Sequence, residues 1–208
     1  MAQGWTRHAG LAVALPLEGV DTDQLIPARF MSAPRTQGYG QFLLHDLRRD
    51  ADGGPRADFP LNRPEAEGAS ILIARRNFGG GSSREAAVYA LADAGFRVVL
   101  APSFGDIFAA NAVNNGVLPA RLEAARIEEL IAAAPLRLTV DLQAGRIDGA
   151  PGGALELELD PVQRRKLING WDDIDVTAAH ADQISRFAAR RRREMGWMWP
   201  ADQAGAQG

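Results

Sequence analysis

Between residues 69 and 135 two kinds of segment alternate, and this alternation constrains the fold more than any other feature. "ASILIA" (69–74) and "FRVVLA" (96–101) are continuous apolar runs rich in β-branched residues, and "VLPARL" (117–122) is a third short run. Strands without polar alternation are buried on both faces. Each run is followed by helix-forming sequence: "REAAVYALADAG" (84–95), "SFGDIFAANAVNNG" (103–116) with Ser103 as candidate N-cap, and "EAARIEELIAAAP" (123–135) ended by Pro135. Strand, helix, strand, helix, strand predicts βαβ units and a partly parallel sheet. Residues 136–160 then alternate apolar and polar positions between turns, as antiparallel strands do. The remainder is helical, with a break at Asn169–Gly170 and a basic run, Arg190 to Arg193, at a solvated helix end. The expected class is α/β, a mixed sheet with flanking helices. The expected organisation is one domain over 1–208 with a helical extension over about 160–196 and a frayed tail.

The N-terminal third is less periodic. "LAVALPLEGVDTDQLIP" (11–27) begins as a strand and ends in a turn. Asp21 and Asp23 flank Thr22, a pattern that fits a turn or helix cap better than a metal site. "ARFMSAPRTQGYGQF" (28–42) contains Arg35 and reads as a loop leading to a short helical piece over 41–47. Its Gly and Pro content suggests a segment that moves on ligand arrival. Residues 48–68 are polar, rich in Gly and Pro, and predict a long surface connection.

Composition removes several function classes. Of 208 residues 46% are hydrophobic and 24% charged, and the net charge is −3, which gives no basic footprint for nucleic acid or an acidic membrane surface. No apolar run approaches the roughly 20 residues of a membrane span. The first residues lack a secretory layout, so the expected location is cytoplasmic. There are no cysteines, hence no thiolate nucleophile or thiolate metal ligand in this chain. His8, His45 and His180 are far apart and lack ligand spacing.

The turn "RRNFGGGSSRE" (75–85) lies between the first buried run and a helix. The first N–H groups of a helix lack internal acceptors, and the dipole favours negative charge there. Gly79, Gly80 and Gly81 permit a close approach, Ser82 and Ser83 offer hydroxyls, and Arg84 offers a fork for a carboxylate or phosphate. Nucleotide patterns fit poorly. A phosphate loop needs Lys where Ser82 stands, and a dinucleotide turn needs Gly where Arg84 stands. A hydrolase elbow needs Gly two positions after its serine, where this chain has Arg84 or Glu85. From the residues alone, an anion-binding turn and a plain serine-capped helix fit equally.

"NFGGGSSRE" resembles the signature of the swivelling domain of the aconitase superfamily. Together with "VDTDQLIPARF", "RTQGYGQFLLHD", "GFRVVLAPSFGDIFAANAVNNGVLPARL" and "RRKLINGWDDIDVTAAHADQISRF", it is similar to the 3-isopropylmalate dehydratase small-subunit family, over nearly the whole chain. That resemblance implies a swivelling β/β/α domain working with a large subunit that carries a [4Fe–4S] cluster. It implies a hydro-lyase that isomerises 2-isopropylmalate to 3-isopropylmalate in leucine biosynthesis. Cluster iron is held by cysteine thiolates, and this chain has none, which agrees with a cluster in the partner. The carried-over roles are Ser82 as the base, and Ser83, Arg84, Gly81 and Arg35 as contacts of a small dicarboxylate substrate. Gly80 and Ala86 depart from the family pattern, where cysteine and histidine are usual. The departures leave room for a related hydro-lyase acting on a citramalate or homocitrate type of substrate, or for a carboxylate-binding module without catalysis.

Overall fold

The structure is a computed structural model and describes residues 3–199. These residues form two compact units, one ending at Asp172 and one beginning at Asp173. Of the tail expected to be frayed, 197–208, Trp197 and Met198 belong to a 3-10 turn, and residues 200–208 lie outside the described residues.

The first unit is built on a seven-stranded sheet of order β4-β3-β2-β1-β5-β6-β7. The strands are β1 (Arg7–Leu15), β2 (Ala69–Ala74), β3 (Val98–Ala101), β4 (Leu118–Arg121), β5 (Leu136–Asp141), β6 (Arg146–Asp148) and β7 (Leu155–Glu156). β1 to β4 run parallel, and β5, β6 and β7 are added antiparallel. The helices are α1 (Thr22–Leu25), α2 (His45–Arg48), α3 (Glu85–Asp93), α4 (Asp106–Asn114), α5 (Ala124–Ala133) and α6 (Pro161–Asn169).

The continuous apolar runs have the physical reason expected of them. Alternate residues of β2 and β3 enter two different cores. Leu72, Ala74, Val99 and Ala101 face one with α3, Phe78 and the residues around α1. Ile71, Ile73, Val98 and Leu100 face the other with Trp5, Ile127 of α5 and Leu167 of α6. A polar residue on either face would be buried without a partner, so both periods are apolar.

Helix ends differ in detail from the sequence expectation. Asp21 is the N-cap of α1 in a full capping box: its side chain accepts from Gln24 N, and the Gln24 amide accepts from Asp21 N. Ser103 does not cap α4. Gly105 occupies that position, and the Ser103 hydroxyl instead accepts the Asn77 N–H at 2.8 Å. α3 begins at Glu85, with Arg84 extended at the N-cap and no side-chain cap. Residues 48–68 contain two 3-10 turns and bury Phe59, so the surface connection is anchored.

The second unit contains α7 (Asp173–Ala178), α8 (Ala181–Glu194) and a 3-10 turn at Gly196–Met198. Arg191, Arg192 and Arg193 occupy the last turn of α8, where the helix dipole favours cations. Arg192 lies over the Trp199 ring at 4.9 Å.

Candidate active site

Three loops meet at the C-terminal ends of the parallel strands, the usual position of a site in an open α/β sheet. The loop after β1 and the glycine turn after β2 are joined by backbone bonds. Gly79 N donates to Val20 O (2.7 Å), Thr22 N to Gly80 O (2.9 Å), and Gly19 N to Arg76 O (2.9 Å). The loop after β3 joins the same turn, with Phe78 N donating to Ser103 O (3.0 Å) and Gly105 N to Phe78 O (2.9 Å). The turn is therefore fixed from both sides.

Phe78 anchors it from below. The side chain is fully buried and meets Phe104 and Phe108 edge to face, with centroids 6.3 and 5.5 Å away. Burial of such a ring contributes roughly 1.5–3 kcal/mol. Gly79 is required by its surroundings: φ is +72°, and a Cβ would lie 2.2 Å from the Phe108 ring. Gly81 follows at φ +90° and turns the chain outward, so that Ser82 and Ser83 are exposed.

Two residues of α1 hold the exposed serines and the arginine. Thr22, 2% exposed, donates its hydroxyl to Ser82 O at 2.8 Å. Asp23 forms an ion pair with Arg84. The Arg84 side chain is 18% exposed and its Nη1 is buried. The pairing orients the guanidinium and leaves hydrogen-bonding capacity for another acceptor. Among the described residues, the N–H groups of Ser82, Ser83 and Arg84 donate to no protein acceptor. An exposed run of free donors, two hydroxyls and a guanidinium at a helix start suits a carboxylate.

Gly81, Ser82, Ser83 and Arg84 are thus contiguous in one exposed turn. Arg35 is elsewhere. It begins a 3-10 turn, pairs through both terminal nitrogens with Asp93, and lies 4.4 Å from the centre of the Tyr89 ring. Asp93 also accepts the Tyr39 N–H at 2.6 Å, which ties the loop down. Asp93 ends α3 and Arg84 precedes it, so the helix rise alone separates them by roughly 13 Å. Burial, and then the Glu85 carboxylate, raise the Tyr89 phenol above its usual pKa.

Thr22 and Asp23 are the residues that sequence reading missed as parts of the site. Their partners lie about sixty positions away, and only the cap at Asp21 marked the segment as structured. Among the described residues, no group of three or more His, Asp or Glu side chains could hold a metal ion. No described helix is long and apolar enough to cross a membrane.

The chain is similar to known proteins along most of its length. Residues 2–125 match the aconitase C-terminal domain family. A 3-isopropylmalate dehydratase small subunit from Geobacillus kaustophilus is 43% identical over 89% of this chain and 96% of the relative. One from Bacillus subtilis is 44% identical over 88% of this chain and 94% of the relative. The crystal structure of a 3-isopropylmalate dehydratase from Methanocaldococcus jannaschii shares the fold, with a TM-score of 0.63 and 24% identity over 86% of this chain and 98% of that one.

Proposed function

The chain belongs to the aconitase C-terminal domain family and, within it, to the 3-isopropylmalate dehydratase small subunits, and from that premise we propose that it supplies the carboxylate-gripping half of a hydro-lyase site. The reaction is the isomerisation of 2-isopropylmalate to 3-isopropylmalate in leucine biosynthesis. The observation that carries this reading is the turn Gly81–Arg84, held by Thr22 and Asp23 with its donors facing outward.

Isomerisation by dehydration and rehydration removes a proton next to a carboxylate and later returns one. Ser82 Oγ is the group proposed to take that proton. A serine hydroxyl is a weak base, so its alkoxide needs stabilising charge. The helix start, the free N–H groups of Ser83 and Arg84, and the nearby Arg84 guanidinium supply it. Ser83 and Arg84 would grip a substrate carboxylate and fix the carbon facing Ser82. Gly81, having no side chain, leaves space for the ligand. Arg35 would join the substrate only after leaving Asp93.

The cysteine-free chain does not provide thiolates for a cluster. A [4Fe–4S] cluster in a partner large subunit would supply Lewis-acid assistance to hydroxyl departure. The small subunit is then inactive alone. A cytoplasmic location goes with this role.

One observation favours a second substrate in the same class. At Gly80 a Cβ would lie 3.2–3.5 Å from the Asn77 amide, so a larger residue would press on the floor of the turn. Gly80, and Ala86 in the first turn of α3, are small residues beside the proposed carboxylate grip, where side-chain size would act on the choice of malate derivative. The test is anaerobic reconstitution with the large subunit and parallel assay of 2-isopropylmalate, citramalate and homocitrate. Turnover of 2-isopropylmalate with the highest kcat/KM supports the main reading. Preference for another diacid moves the assignment to that substrate, and no turnover by the loaded complex refutes the hydro-lyase.

A further inference from the structure

A second cationic site lies at the opposite end of α3. A cavity of about 350 Å³ opens between the end of that helix at Ala94, the residues of α2, and the 49–62 segment. Its wall includes His45, Arg48, Arg49, Pro55 and Asn62, and none of its lining residues is acidic.

Arg48 is the informative group. Its side chain is half-buried and held by neutral acceptors only. Nε donates to Asn62 Oδ1 at 2.9 Å and Nη2 reaches Leu61 O at 3.5 Å. The Asn62 amide in turn donates to Arg48 O (2.7 Å) and Arg56 O (2.9 Å), which locks the orientation of that acceptor. Arg49 donates to Gly53 O at 2.8 Å, another neutral partner. The neighbouring acids have other partners: Asp46 pairs with Arg29 and its Oδ1 lies 3.0 Å from His45 Nδ1, Asp58 pairs with Arg56, and Asp50 Oδ1 accepts the N–H groups of Asp52 and Gly54. Burial, and then the charge of Arg49, lower the pKa of Arg48. The half-buried Arg48 guanidinium and the exposed Arg49 guanidinium therefore line a cavity whose own residues supply no carboxylate, an arrangement favourable to a bound anion.

We propose that this cavity binds a small dianion of the phosphate class, gripped by Arg48 and Arg49 beside His45. Two guanidinium forks match a tetrahedral oxyanion, and the charge balances without an acidic side chain. The volume suits a small metabolite rather than a polymer. The site stands apart from the Ser82–Arg84 turn, at the far end of the helix. It abuts the Arg35 anchor, because a Cβ at Gly40 would lie 2.7 Å from the Asp93 and Ala94 backbone.

The experiment is calorimetric titration of the full-length chain with inorganic phosphate at constant ionic strength, with acetate and chloride as comparison anions. The expected result is saturable binding of phosphate, weakened about tenfold or more in Arg49→Gln, whose side chain is exposed and holds only a loop carbonyl. Arg48→Gln is expected to lose binding to at least the same degree. If that variant fails to fold, Arg49→Gln decides alone. The proposal is overturned by absence of saturable binding, by equal response to acetate, or by a loss of binding in Arg84→Gln that Arg49→Gln does not show.

Discussion

Replacing Thr22 by valine probes how the site is held. Thr22 is 2% exposed, and its hydroxyl reaches Ser82 O at 2.8 Å. Valine keeps the shape and removes the donor. Because Ser82 is exposed, water can take over part of the lost bond, which places the cost near the middle of the range for a neutral hydrogen bond, about 1 kcal/mol. For a domain of this size that lowers Tm by roughly 2–4 °C. The catalytic consequence should be larger than the thermodynamic one. A freed Ser82 carbonyl lets the hydroxyl drift, and a shift near 1 Å at a reacting group can cost up to about a hundredfold. The expected result in the reconstituted complex is a fall in kcat of about tenfold or more, with a smaller change in KM. Thr22→Ser, which keeps the hydroxyl, should recover most of the turnover. Urea denaturation of the isolated chain and steady-state kinetics of the complex measure both quantities. A Val variant with lowered stability and unchanged kcat would refute the positioning role, and one unchanged in both would refute the hydrogen bond's contribution.

Two further outcomes follow from the same structure. Gly79→Ala should destabilise the chain by roughly 2 kcal/mol or more, since the new Cβ meets the Phe108 ring at 2.2 Å on a residue with φ +72°; a thermal melt equal to the parent's would contradict the packing described. Burial, and secondarily the charge of Arg97, hold the His8 imidazole below its ordinary 6.5. The unfolded chain therefore binds a proton at His8 at higher pH than the folded chain, so the contribution of His8 to stability is flat above about pH 6.5 and falls as pH drops toward the folded pKa. His8→Gln should flatten that slope in urea midpoints taken from about pH 8 to 5, and a slope unchanged by the substitution would exclude His8 as its source.

The fold was legible wherever burial dictated the sequence. β2 coincides with the apolar run 69–74 because both of its faces are covered, by Leu72 and Ala74 on one side and Ile71 and Ile73 on the other. The antiparallel addition of β5 to β7 was legible for the complementary reason, that its strands alternate. Helix starts were less legible. Ser103 has the chemistry of a cap, yet its hydroxyl serves Asn77, twenty-six positions earlier, and nothing local to Ser103 signals that partner. The proposed site divides in the same way. The contiguous residues Gly81 to Arg84 could be read from one turn, whereas Thr22 and Asp23 become part of the site only when the loops after β1 and β2 are paired. Arg35 has the right chemistry for a carboxylate but is occupied by Asp93 and Tyr89, a competition between partners that residue type does not reveal.

The central claim is that Ser82 moves the substrate proton within a site completed by a large subunit. Ser82→Ala in the reconstituted complex tests it most directly, with assembly followed by size-exclusion chromatography and turnover of 2-isopropylmalate by steady-state assay. The Ser82 side chain is exposed and its backbone carbonyl, not its hydroxyl, receives the Thr22 bond, so the variant should fold and assemble as the parent does. The predicted result is an intact complex whose kcat falls by about a hundredfold or more. An intact complex with near-parental kcat would contradict the account.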